Sequence, residues 1–155
     1  MYKVVCVIAG LFMLMPLWVL AQARSQVDAG DLASMRGRFR PLLIFHADAQ
    51  GQPSSDASVR EQLAWIDAHQ AELKARDVVV VPIPTKNGYA AFSPREERSL
   101  QERFHVESGK FTIVLVGKDG GEKLRSHAPV TIGKLDALID AMPMRQQEVR
   151  DGHSK

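Results

Sequence analysis

The chain is almost without cysteine. Of its 155 residues only Cys6 carries a thiol, and it lies in a stretch with the form of an export signal, "MYKVVCVIAGLFMLMPLWVLAQARS" (1–25). One cation, Lys3, precedes an apolar run from Val4 to Leu20, and Ala21-Gln22-Ala23 has the small-x-small pattern of a signal-peptidase site. The run is short for a segment that must cross a hydrocarbon core of roughly 30 Å, and it contains Pro16. Cleavage is therefore expected after Ala23, with a periplasmic or secreted product that has no membrane anchor. Cys6 stands too early in the run to accept a lipid. Residues 24–155 then hold no thiol, which excludes disulfides, thiolate nucleophiles and cysteine-ligated metals. Stability must come from a hydrophobic core alone.

Charge of one sign is also missing. The chain has 20 basic and 18 acidic residues, and removal of residues 1–23 takes only Lys3 from that balance. No run of like charges reaches the length of an interaction tail. A near-neutral, interspersed surface argues against nucleic acid or another polyanion as partner. There is no internal repeat and no low-complexity segment. What is left after cleavage is enough for one domain and too short for two ordinary ones.

Three short apolar runs rich in β-branched residues, "PLLIF" (41–45), "VVVVPI" (78–83) and "FTIVLV" (111–116), have the pattern of strands covered on both faces. Between the first two, Ser58 and Glu61 have capping-box spacing. Val59, Leu63, Ile66 and Leu73 follow at helical spacing, with Trp65 beside them, so a helix is predicted to end near Arg76. Ser93-Pro94 with Glu96 opens a second helix carrying Leu100 and Phe104. Lys118-Asp119-Gly120-Gly121 is a hairpin signal, and "EKLRS" (122–126) alternates like an edge strand. Thr131 caps a final helix bearing Leu135, Leu138, Ile139 and Met142, stopped or kinked at Pro143. One helical turn is expected around Leu32 to Met35.

The predicted order is β-α-β-α-β-β-α, a thioredoxin-like α/β fold. Its four-stranded mixed sheet has the order second, first, third, fourth, with helices on both faces. A flavodoxin-like sheet would need a helix where Asp-Gly-Gly stands. The organisation is thus a signal (1–23), a leader segment (24–39), the thioredoxin-like domain (40–142) and a polar tail expected to fray (143–155).

Ligands of open α/β sheets bind at strand ends. Here the loop after the first strand, "HADAQGQP", should meet the loop before the third, "ESGK". That makes His46, Asp48, Ser108 and Lys110 the candidate ligand-binding residues. The first loop lacks the Cys-x-x-Cys and the second lacks the proline that thiol-redox members of the fold carry there, so dithiol exchange is excluded. A carboxylate can orient an imidazole or share a metal with it. His46 and Asp48 therefore also admit non-thiol hydrolytic or metal-assisted chemistry, with Lys110 as an anion clamp. The simpler reading of the pair is a solvated strand-end histidine beside a turn-forming aspartate. His127 lies at the same end, about 10 Å away for strands spaced at 4.8 Å. Ser108 lacks the G-x-S-x-G elbow that exposes a nucleophile. Lys118 and Arg125, at the other end, flank what reads as a solvated hairpin. No catalytic residue, metal ligand or cofactor is assigned.

The segments "DLASMRGRFRPLLIF", "FTIVLVGKDGGEKLRS" and "LDALIDAMPMRQQEVR" resemble the bacterial exported domain-of-unknown-function family numbered 4174. That domain is similar to one in eukaryotic sushi-repeat extracellular proteins. The resemblance covers residues 31 to 150 and is most specific over Gly117 to Arg125 and Asp140 to Arg150. It implies a thioredoxin-like fold and a periplasmic or secreted location. Lys118, Asp119, Gly120, Gly121, Pro143, Met144, Arg145 and Glu148 match its pattern without an assigned role. The functional expectation is a redox-inactive module of the bacterial envelope that binds a protein or small ligand. The alternatives are the non-thiol enzyme on His46 and Asp48, or the structural or adhesion role that the eukaryotic relatives suggest.

Overall fold

Ten elements fold around one sheet in a computed structural model that describes residues 32–46, 56–84 and 92–152. The first strand, β1 (Arg40–Phe45), is buried at all six positions. It pairs in parallel with β2 (Val78–Ile83), Arg40 opposite Val78 and Phe45 opposite Ile83. On its other side it runs antiparallel to β3 (Thr112–Val116), Phe45 opposite Thr112 and Leu42 opposite Leu115. β4 (Glu122–Ser126) closes the sheet antiparallel to β3, with a register irregularity between Leu115 and Val116. The order β2-β1-β3-β4 is the thioredoxin-like arrangement expected from the hairpin. Pro82 is tolerated in β2 because that strand is an edge and needs fewer ladder donors.

Period-two alternation of β1 and β3 divides the core into two layers. Leu43, Phe45, Val81, Ile83, Val114 and Val116 face α1 (Leu32–Met35) and α4 (Pro94–Arg103), packing on Leu32, Met35, Leu100 and Phe104. Leu42, Ile44, Ile113 and Leu115 face α2 (Ala57–Ala68), α3 (Gln70–Ala75) and α5 (Ile132–Asp140), packing on Ile66, Leu73, Leu135 and Ile139. Each such side chain contributes about 1.5–3 kcal/mol on full burial, and this two-sided core holds a fold that has no disulfide. Gln62 is fully buried within it, and its Oε1 accepts a hydrogen bond from the Val130 N–H at 2.6 Å.

Helix boundaries follow their caps, with two departures from the pattern. α4 opens with the expected capping box: Ser93 accepts from the Glu96 N–H and donates its own N–H to the Glu96 carboxylate at 2.7 Å. α2 starts instead at Asp56, whose carboxylate accepts from the Val59 N–H at 3.2 Å, so Ser58 is inside the helix. The long helix also breaks at His69, leaving α2 and α3 as separate pieces. Thr131 caps α5 as expected. At the hairpin, Gly120 takes φ +83°, and the Asp119 carboxylate accepts from the Gly121 N–H at 3.0 Å.

The largest correction concerns the C-terminal segment, which does not fray from Pro143. Pro143 is the first residue of a further helix, α6 (Pro143–Arg150), and α6 is held to the domain by charge. Glu148 Oε1 accepts from Arg40 Nη2 at 2.9 Å and from Lys118 Nζ at 2.7 Å, and Arg145 Nη1 lies 3.6 Å from Oε2. Arg40 also donates to the Arg76 carbonyl at 2.9 Å, and Arg76 makes a two-pronged contact with Asp140 at 2.7 and 3.0 Å. Lys118 completes the network on Asp77 at 2.8 Å. Arg40 is 1% exposed.

Burial pushes the Glu148 carboxyl up, but the hydrogen bonds and charges of Lys118 and Arg40 outweigh it and hold the group below its ordinary value of 4.5. Its contribution to stability is therefore fully present above about pH 4.5 and is lost as pH falls through the lowered value. Glu148→Gln leaves buried cations undercompensated and is expected to cost about 3 kcal/mol in denaturant unfolding at neutral pH. The deficit should shrink as pH drops below 4. A cost under about 1 kcal/mol would contradict this role.

Candidate functional site

His46, the one described residue of the loop after β1, and the loop before β3 lie at the same end of the sheet, but the candidate residues there do not form one surface. Phe45 opposes Thr112 and Ile113 opposes Ser126, so His46, Ser108, Lys110 and His127 gather at one end of the sheet. His46 is not solvated; it is 5% exposed, and its N–H donates to the Ile83 carbonyl at 2.8 Å. Ser108 and Lys110 are exposed in the turn around Gly109, and Lys110 pairs with Glu107. That hydrogen bond, with the charge of Lys110, holds the Glu107 carboxyl below its ordinary value. Asp48 lies outside the described residues, so the His46–Asp48 pair has no geometry here. Among the described residues no group of three or more His, Cys, Asp or Glu side chains could hold a metal ion.

One contact at this end escaped the sequence. His127 Nδ1 lies 3.2 Å from the Thr112 hydroxyl, which is also 3.4 Å from the Lys110 carbonyl. A hydroxyl beside an imidazole is the arrangement of a nucleophile and its base. Thr112, however, is 0% exposed, so the pair ties β3 to the end of β4 and is closed to a substrate. A polar residue within the apolar run 111–116 was the only signal. Thr112→Val should lower the unfolding free energy by about 1 kcal/mol, the net worth of one hydrogen bond; a loss above 3 kcal/mol in urea melts would contradict that modest role.

At the opposite end of the sheet lies a cavity similar in size to the one lined by Gln101, His105 and Ser108. A cleft of about 550 Å³ opens between residues 37–39, Asp77, Lys118 and the outer face of α6. Its floor is the ion pair of Lys118, 9% exposed, with Glu148. Lys118 was expected on a solvated hairpin; Asp77 and Glu148 draw it inward instead. Arg125 is likewise taken up, by Glu122 and the Phe104 carbonyl. One wall of the cleft is Phe39, with the Arg38 guanidinium carbon 5.1 Å from its ring centroid. Met144 forms another, 44% exposed. Asp77 and Asp151 complete the rim. Asp77 sits at φ +54°, a left-handed conformation that Asp tolerates better than most residues. The segments most specific in the family resemblance, 117–125 and 140–150, thus converge on this cleft through Lys118, Met144 and Glu148.

Comparison with known proteins agrees with this architecture. A domain-of-unknown-function family, DUF4174, matches residues 31–148. No curated protein matches the chain. Among solved structures, the reduced 2-Cys peroxiredoxin of Plasmodium vivax is similar at 14% identity and TM-score 0.54, over 75% of this chain and 84% of that one. The mitochondrial 2-Cys peroxiredoxin of Plasmodium falciparum is similar at 11% identity and TM-score 0.52, over 81% and 85%. Thioredoxin peroxidase I of Plasmodium yoelii gives 16% identity and TM-score 0.51, over 78% and 80%. At such identities the likeness is one of fold. With the family match spanning the whole sheet and α6 as far as Glu148, the chain belongs to the DUF4174 family of thioredoxin-like domains.

Proposed function

We propose that this protein is an exported, redox-inert thioredoxin-like domain that acts by binding a protein or small-molecule ligand in the bacterial cell envelope. One observation carries the reading: the sole cysteine is Cys6, inside a segment with the form of a cleavable signal. Solved proteins that share the fold are named for cysteine chemistry, and residues 24–155 have no thiolate with which to perform it. The buried charges beneath α6 and the cleft above them give such a module a surface that does not depend on sulfur. Non-thiol chemistry at His46 gains nothing from the described geometry, because that side chain is buried.

Three measurements test the proposal. The protein isolated from envelope fractions should begin at Arg24, show no insulin reduction with dithiothreitol above background, and co-purify with a stoichiometric partner or ligand. Catalytic turnover of insulin, or a product that retains Cys6, would contradict it.

A further inference from the structure

We infer that α6 is an acid-released helix: protonation of Glu148 undocks it while the sheet and its two apolar layers stay folded. The inference does not depend on what the domain binds.

The docking of α6 owes little to the hydrophobic effect. A helix on a globular domain normally turns its apolar side chains inward. The buried residue of α6 is Arg145, and Glu148 is mostly covered, whereas Met144 and Val149 are 44% and 53% exposed. Among the described residues, neither apolar layer of the sheet includes a side chain of α6. The nearest contribution is Met142, the residue that precedes the helix, packed at the edge of the second layer. Each layer is therefore closed without α6, and segments with few buried apolar contacts are the first to open. A helix of eight residues is also too short to persist alone in water. Once undocked, α6 melts.

The contacts that reach from α6 to the body of the domain are ionic. Glu148 Oε1 meets Arg40 of β1 at 2.9 Å and Lys118 of the β3–β4 turn at 2.7 Å. Arg145 Nε lies 3.5 Å from Asp140, the last residue of α5. That contact is long and Asp140 is half exposed, a kind of pair that contributes little. Glu148 is thus the anion that α6 places among three cations, Arg40, Lys118 and its own Arg145. When the carboxyl takes up a proton, Arg145 faces Arg40 and Lys118 across a neutral group. Attraction between helix and body gives way to repulsion.

The remaining charges do not replace it. Asp77, just before β2, is engaged by Lys118 and stays with the body. Asp136 and Asp140 of α5 are engaged by Arg76. Arg38 and Asp151 line the cleft with opposite charges. Among the described residues no histidine lines the cleft or joins these ion pairs, so only carboxyl groups titrate here below neutrality. Burial raises the Glu148 carboxyl, but Lys118 and Arg40 hold it below its ordinary 4.5. Docking is therefore complete at neutral pH and fails as pH falls through the lowered value. The cleft goes with it, because Met144, Gln147 and Glu148 line it.

A pH titration of the isotope-labelled protein tests this. Amide hydrogen exchange, corrected for intrinsic rates, reads α6 and the sheet separately, and the carboxyl carbon shift of Glu148 reads its protonation. As pH falls through the Glu148 midpoint, the amides of Gln146 to Asp151 should lose protection while those of Leu42 to Ile44 and Ile113 to Leu115 keep theirs. Glu148→Gln should lower α6 protection at pH 7 by about a hundredfold, twice the 1.4 kcal/mol of a tenfold change. Should that variant unfold, the wild-type titration decides alone. Loss of α6 and sheet protection in a single transition would overturn the inference. So would α6 protection that survives protonation of Glu148, or a release midpoint that follows Asp77 or Asp140 instead.

Discussion

The carboxylate of Glu148 holds the two ends of this domain together. It receives the first residue of β1, Arg40, and Lys118 just after β3, while Arg145 approaches from its own helix. Taking these groups out of water costs several kcal/mol per ion, which the short contacts of Arg40 and Lys118 with Glu148 offset while Arg40 Nε stays buried without a partner. Arg40 spends one donor on the Arg76 carbonyl, and Lys118 one on Asp77. Arg76 in turn forks onto Asp140 at the end of α5. The Arg76 hydrogen bond holds the Asp140 carboxyl below its ordinary value, while burial raises that of its neighbour Asp136. The cluster fixes where α6 lies, and α6 with Lys118 bounds the cleft.

At the opposite end of the sheet the described candidate residues do not come together. His46 is inside, Thr112 is sealed against His127, and Ser108 and Lys110 remain on the surface. The sheet is carried by β1, buried at every position and paired on both sides. With no cysteine beyond residue 6, the fold persists as a frame of apolar layers. Its buried ion pairs lie at the end where the β3–β4 turn meets the last helix.

How much of this was legible depended on whether apolar side chains carried the signal. The three strands were, because runs such as Val78–Val81 and Ile113–Val116 leave little alternative to a sheet covered on both faces. The Asp-Gly-Gly turn was, because it separates a hairpin from a helical crossover. Ser58 was mistaken for the α2 cap because Asp56 also offers an acceptor two residues earlier, and only geometry distinguishes them. α6 was missed for a deeper reason. "PMRQQEVR" buries Arg145 and much of Glu148 while exposing Met144 and Val149, so hydrophobic periodicity reads it as solvent-facing throughout. The partners that hold it, Arg40 and Lys118, are far away in sequence and look like ordinary surface cations. Of the candidate site, the shared sheet end was visible, but the burial of His46 was not, since a histidine after an apolar strand reads equally well as its solvated end.

The most direct test of this account is a double-mutant cycle between Arg40 and Glu148, with Arg40→Met and Glu148→Gln measured singly and together by denaturant unfolding at neutral pH. Residues in one buried ionic network couple by about 0.5–3 kcal/mol, and the short Arg40–Glu148 contact places this pair in the upper half of that range. A coupling of about 2 kcal/mol, with the double variant less damaged than the singles imply, is the predicted result. Additivity within about 0.3 kcal/mol would mean that α6 is held by something other than this charge cluster.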